Sequence, residues 1–342
     1  MKIAIVTINN PSLHAAKELL PYLQEHQCDV YNKSEDHDNF IVFNKLDDIL
    51  EDAWNNYDAI IFILAIGAVI RKLAPLLKDK SSDPAILVMS LDLKKIIPLL
   101  SGHLGGANAL AEELAQKIPN AINFVTTASD QTNRLAFDLF AKKHHFSISN
   151  LKSLAEVQNT ILNGKKVAVL SYPAIFDLLK SFKGYTEENF VFYLPYEMPP
   201  QDMPKVYITP QHLNNDTLQL HPRFTLGLGM NRDTPKEEIK EAVIRFCFEH
   251  SLEFGDIEKL VSFEAKADEE GLLAFAKEER LDLEFFSKDA INALEHNFSH
   301  SMATKFFGIK GVAEPASLLA SKYKTLFINK RIYGNVTIAA SF

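Results

Sequence analysis

Cysteine is nearly absent: Cys28 and Cys247 are two of 342 residues, and they form no C-x-x-C pair. Without paired thiols the chain carries neither a disulfide framework nor a zinc knuckle, and a reducing cytoplasm is the expected compartment. Basic residues are in the minority, with 36 Lys and Arg against 44 Asp and Glu for a formal net charge of -8. A surface that tracks a phosphate backbone needs the opposite balance, so nucleic acid is not an expected partner. Long apolar runs are missing as well. The most apolar stretch, Ala59 to Ile70, falls short of the roughly 20 residues a spanning helix requires and ends at Arg71-Lys72. The opening run Ile3 to Ile8 is too short for a signal-peptide core, so neither a membrane segment nor export is expected.

Several catalytic signatures are absent too. There is no G-x-x-x-x-G-K-[ST], no G-x-S-x-G and no H-E-x-x-H, which removes the mechanical parts of P-loop enzymes, α/β-hydrolases and zincins. Gly227-Leu228-Gly229 begins like a dinucleotide fingerprint, but its third glycine position is Arg232. Asp36-His37-Asp38 and His144-His145 are consecutive residues that point apart on any regular element, so they read as exposed polar clusters and no protein-held metal is expected.

What is present is a globular composition, 47% apolar and 23% charged. The pattern is α/β. Apolar runs at Ile3–Ile8, Ala59–Leu64, Ala85–Met89, Ile96–Leu100 and Ile122–Val125 predict strands, and helical spacing follows at Leu13–Gln24, Ile66–Leu77 and Ala107–Ile118. This predicts an N-terminal α/β domain with a mainly parallel sheet over 1–130. A weakly patterned middle α/β segment and linker follows over 131–221, with four prolines between Leu194 and Pro204. A C-terminal α/β domain over 222–342 opens with a strand at Phe224–Leu228 and a helical stripe from Ile239 to Cys247.

The densest chemical signal is Ser101-Gly102-His103-Leu104-Gly105-Gly106-Ala107-Asn108, between a predicted strand and an amphipathic helix. Gly102, Gly105 and Gly106 allow a tight turn and close backbone approach, and a helix start favours anionic oxygen. His103 can exchange a proton near neutral pH, and Asn108 can orient a carbonyl or water. A tight connection carrying a solvated histidine would use the same residues. Loops leaving the carboxyl ends of neighbouring parallel strands converge, so Gly67, Arg71 and the Ser101 loop are expected to face one crevice. Lys80, Asp83, Thr126 and Thr127 would line its mouth, although capping alone would explain the threonines. In the last third, Arg232, Lys266 and Glu314 are candidate contacts.

Together these segments resemble the CbiG family, the cobalt-precorrin-5A hydrolases of anaerobic cobalamin biosynthesis. Gly67-x-x-x-Arg71, Pro75–Lys80, Asp83-Pro84, Leu100–Asn108 and Thr126–Asp130 match in order and spacing. So do Gly227-Leu228-Gly229, Ser262-x-x-x-Lys266, Asp268-Glu269-x-Gly271-Leu272, Gly308-x-x-Gly311-Val312-x-Glu314-Pro315-Ala316 and Lys330. Met230–Asp233 departs from the family's cysteine, basic pair and glycine.

The resemblance implies opening of a δ-lactone on a ring-contracted cobalt-precorrin and loss of acetaldehyde. His103, Ser101 and Asn108 would be catalytic. Arg71, Lys80 and Arg232 would pair with the peripheral carboxylates, with Gly67, Gly102, Gly105, Gly106, Thr126, Thr127, Lys266 and Glu314 also in contact. Cobalt would arrive in the tetrapyrrole, so no cofactor is implied. Homo-oligomerisation and transient contact with other corrin-pathway enzymes stay open. Two other classes use the same features: a non-catalytic tetrapyrrole carrier and a phosphate-binding α/β transferase.

Overall fold

A computed structural model of the chain describes residues 1–33, 40–79, 82–126, 134–301 and 303–342. Asp36-His37-Asp38, Lys80, Thr127–Asp130 and Met302 lie outside the described residues. The chain divides into two compact units, Met1–Asn133 and Arg134–Phe342.

The first unit is a seven-stranded sheet with β1 (Lys2–Thr7), β2 (Gln27–Asn32), β3 (Ile41–Val42), β4 (Ala59–Phe62), β5 (Ala85–Met89), β6 (Lys95–Leu100) and β7 (Ile122–Asn123). Its order is β3-β2-β1-β4-β5-β6-β7. β1, β4 and β5 are apolar on both faces because helices cover both: Leu13, Leu110 and Leu114 pack on one side, Ile49, Trp54 and Val69 on the other. The first helix, Asn10–Leu19, carries Pro11 in its first turn, with Asn9 and Ser12 forming a reciprocal capping box.

β1 to β5 pair in parallel. β6 does not follow them: it returns antiparallel along β5, with Met89 opposite Ile96 and Ile86 opposite Leu100. The connection is a short hairpin in which Leu93 turns left-handed at φ 57. β7 then runs parallel to β6.

The second unit holds two five-stranded sheets. The first comprises β8 (Ser147–Ser149), β9 (Val167–Ser171), β10 (Phe190–Tyr193), β11 (Lys205–Ile208) and β12 (Leu218–His221), ordered β10-β9-β11-β12-β8. The proline-rich stretch connects β10 to β11. The other comprises β13 (Phe224–Met230), β14 (Ile257–Phe263), β15 (Leu283–Phe286), β16 (Leu326–Tyr333) and β17 (Val336–Ser341), ordered β15-β14-β13-β17-β16. Gly227 lies where the helix Ala313–Ala320 crosses β13. A Cβ there would collide with the Ala313 carbonyl oxygen, so this glycine serves helix-on-strand contact. Among the described residues no helix is long and apolar enough to cross a membrane.

Candidate active site

The antiparallel return of β6 decides which loops meet. Leu100 ends opposite Ile86, so the Ser101 loop emerges at the amino end of β5, beside the loop that delivers the chain into Ala85. The segment after β7 leaves in the same direction, with the Phe124 amide still bonded to the Ile96 carbonyl. Described residues of three segments therefore share one end of the sheet: 77–79 with 82–84, 101–106 and 124–126.

Gly67 follows the carboxyl end of β4 and lies at the opposite end. The expectation that Gly67, Arg71 and the Ser101 loop face one crevice is corrected by this strand reversal. Arg71 is exposed, and its guanidinium donates to the Gly67 carbonyl at 2.9 Å, turned toward β4's carboxyl end.

Within the loop, Ser101 leaves β6 in the left-handed region at φ 55, and Gly106 caps the following helix, Ala107–Lys117, at φ 92. The Ala107 amide donates to the Ser101 carbonyl at 3.2 Å and the Asn108 amide to the Gly102 carbonyl at 3.0 Å. Those two amides close the loop on itself and are not free for an anionic oxygen. The amides of Gly105 and Gly106 donate to no group among the described residues.

Glycine is required at two places here. A Cβ on Gly105 would overlap Ser101 Cβ, and one on Gly102 would stand 2.8 Å from Asn108 Oδ1. The Asn108 amide therefore lies over Gly102. His103 occupies the middle of the turn, partly exposed. Ser101 Oγ is sealed from solvent and has no hydrogen-bond partner.

In the adjoining segment Asp83, a buried carboxylate, holds residues 78 and 79, accepting from the Lys78 amide at 3.2 Å and the Asp79 amide at 3.3 Å. Thr126 is exposed at the end of the third segment. Lys80 and Thr127, both expected to line this mouth, fall outside the described residues.

In the second unit the expected contacts are occupied by neighbours. Arg232 pairs with Asp268 at 2.5 Å and donates to the Ala265 carbonyl at 3.1 Å. Lys266 is buried and bonds Glu269 at 2.9 Å, while the other Glu269 oxygen accepts from the Asp233 amide at 3.1 Å. Buried Glu314 accepts three bonds, from the Ser299 amide and hydroxyl at 2.7 Å each and from the Lys330 amide at 2.9 Å. These groups hold loops together: Arg232 and Lys266 each have a carboxylate partner within the unit, and Glu314 is held by three neutral donors.

One polar cluster had no signal in the sequence. His212 and His221 stack with centroids 3.6 Å apart, His212 bonds Asp256 at 2.6 Å, and His221 bonds Ser149 at 2.8 Å. Its members come from four separate segments, which no local motif links. Burial lowers the His221 pKa to about 4. His144 and His145 diverge as expected: His144 packs against Phe140 and Phe146, and His145 is a left-handed helix cap.

Comparison with known proteins follows the same division of the chain. Three family models match in succession: the cobalamin synthesis G N-terminal model at 48–130, the cobalamin biosynthesis central region at 135–222 and the cobalamin synthesis G C-terminus at 224–341. A cobalt-precorrin-5A hydrolase of Priestia megaterium is 29% identical over 99% of this chain and 94% of its own length. The protein of the same name from Salmonella typhimurium is 30% identical over 80% of this chain and 79% of its own. A cobalamin biosynthesis protein G homolog of known structure from Sulfolobus solfataricus is 21% identical, covers 99% of this chain and 96% of that one, and superposes with a TM-score of 0.39. On the three family models and the two hydrolases matched in sequence, the chain belongs to the cobalamin synthesis G family, CbiG.

Proposed function

We propose that this protein is a cytoplasmic hydrolase that opens the δ-lactone of cobalt-precorrin-5A and releases acetaldehyde, giving cobalt-precorrin-5B. The observation that carries this is the match, along 99% of the chain, to a relative named for that reaction. The chemistry available in the Ser101 loop supports it.

Water adds to the lactone carbonyl as His103 takes its proton, and the new oxyanion falls to the unmatched amides of Gly105 and Gly106. Collapse breaks the ring C–O bond, leaving a carboxylate and a secondary alcohol. Removal of the alcohol proton lets the adjacent C–C bond break in the retro-aldol sense. Acetaldehyde leaves and the electron pair stays in the conjugated macrocycle. Asn108, lying over Gly102, orients the lactone. Cobalt enters with the substrate, so the protein's part is to position, polarise and move protons. Lys80 remains a candidate for the peripheral carboxylates; Arg71, turned toward the opposite end of the sheet, and Arg232, already matched to Asp268, are the weaker ones.

The test is incubation with enzymatically prepared cobalt-precorrin-5A and an aldehyde trap. One acetaldehyde per macrocycle supports the proposal. A shift in the macrocycle's absorption with no trapped aldehyde would make the protein a carrier.

A further inference from the structure

Among the described residues, five buried side-chain atoms lack a hydrogen-bond partner: Ser101 Oγ, Gln158 Oε1, Thr225 Oγ1, His250 Nε2 and Tyr323 Oη. Nine described residues other than glycine adopt positive φ. Ser101 alone belongs to both sets. Most of the others have ordinary reasons. Asn120, Asn150 and Asp233 are residue types that tolerate the left-handed region, and His145 and Arg280 close helices there. Ser101 has no such reason, since it follows a strand and caps nothing.

Two unfavourable features thus coincide on one small residue. A left-handed backbone disfavours any Cβ, and a sealed hydroxyl without a partner has lost its water and gained nothing. Burial of this kind persists only where something else selects it, and strained, unsatisfied groups cluster where ligands are handled. The surroundings name the ligand chemistry. Ser101 is pressed against Gly105, where even a methyl group would overlap its Cβ, and the unmatched amides of Gly105 and Gly106 begin there. A hydroxyl donor beside two amide donors is the donor set that suits one oxygen gaining negative charge.

We propose that Ser101 is a catalytic residue whose hydroxyl, held without a partner inside the chain, donates to the lactone carbonyl oxygen as it becomes an oxyanion. This rests on the lactone-opening function proposed for the same loop. Substrate supplies the missing acceptor, so the differential contact favours release of the hydroxyl from its sealed position. Gly102, Gly105 and Gly106 leave the backbone free to make that turn. The donor is then matched only when the reacting carbonyl is in place, which places its contribution in kcat.

The experiment compares Ser101→Ala and Ser101→Gly with the wild type, ligand-free and in turnover. Removing a group with no partner raises the ligand-free melting midpoint, by about 2 °C or more. The same change lowers kcat about a hundredfold, the size of a lost oxyanion donor, with KM changed less than threefold. A structural serine gives the reverse pattern. Variants that melt below the wild type, or that turn over at its rate, overturn the inference while leaving the lactonase reading intact. Absence of acetaldehyde from the wild-type protein in the same assay overturns both.

Discussion

The Ser101 loop and the loops around Glu314 and Lys266 look alike as sequence, each a glycine-bearing turn beside a helix start with a charged or titratable group. Their hydrogen bonding differs. Glu314 accepts three bonds, and Glu269 is shared between Lys266 and the Asp233 amide. The Ser101 loop keeps two amides and a hydroxyl without partners among the described residues. Saturated polar groups stabilise, and unsatisfied ones held in place are available to a substrate. A charged residue at a helix start is therefore informative about function only after its neighbours have been counted.

Mutations can sharpen or break that contrast. The largest expected change in stability lies with the saturated groups of the second unit. Burial holds the His221 imidazole neutral with a pKa lowered from 6.5 to about 4. The unfolded chain takes up that proton first, so stability falls as pH drops from about 6.5 to about 4. The loss is about 3 kcal/mol over that window. Denaturant unfolding at a series of pH values should show this slope, and His221→Gln should flatten it. Glu314→Ala leaves the Ser299 and Lys330 amides without their acceptor and should destabilise by about 2–3 kcal/mol, with turnover per folded molecule unchanged. A large fall in kcat at full folding would move Glu314 into the reaction and erase the contrast.

Gly105→Ala acts in the other region. Its methyl meets Ser101, so acetaldehyde release should fall about a hundredfold, equivalent to about 2.7 kcal/mol on the barrier. Gly102→Ala displaces only the flexible Asn108 amide and should cost less than Gly105→Ala in the same assay. Smallest is Arg232→Ala, which removes an exposed, solvent-screened ion pair and should leave the midpoint of equilibrium unfolding almost unmoved.

Much of the first unit was legible. β4 and β5 are continuous apolar runs because helices cover both faces, and the Ala107–Lys117 helix shows its stripe at Ala107, Leu110, Ala111 and Leu114. The direction of β6 was readable too, since the link from Met89 to Lys95 is far shorter than the dozen or so residues a parallel crossover needs. That spacing by itself puts Gly67 and the Ser101 loop at opposite ends of the sheet. β2 and β12 were harder. β2 carries Gln27, Asp29 and Asn32, and β12 buries Gln219 and His221, whose polar atoms are met by the Leu213 backbone and the Ser149 hydroxyl from other segments. Within the site, residue types and glycine spacing marked the loop. Saturation could not be read there, because the partners of Glu314 and Lys266 are set by how the chain folds back.

The central claim is that chemistry resides in the Ser101 loop, with His103 moving the proton. Single-turnover acetaldehyde release from cobalt-precorrin-5A by His103→Ala, with macrocycle binding followed by absorbance, tests it most directly. Release should slow by at least a hundredfold while affinity stays within about threefold of the wild type. Lost binding with an unchanged rate on the bound fraction would contradict the account.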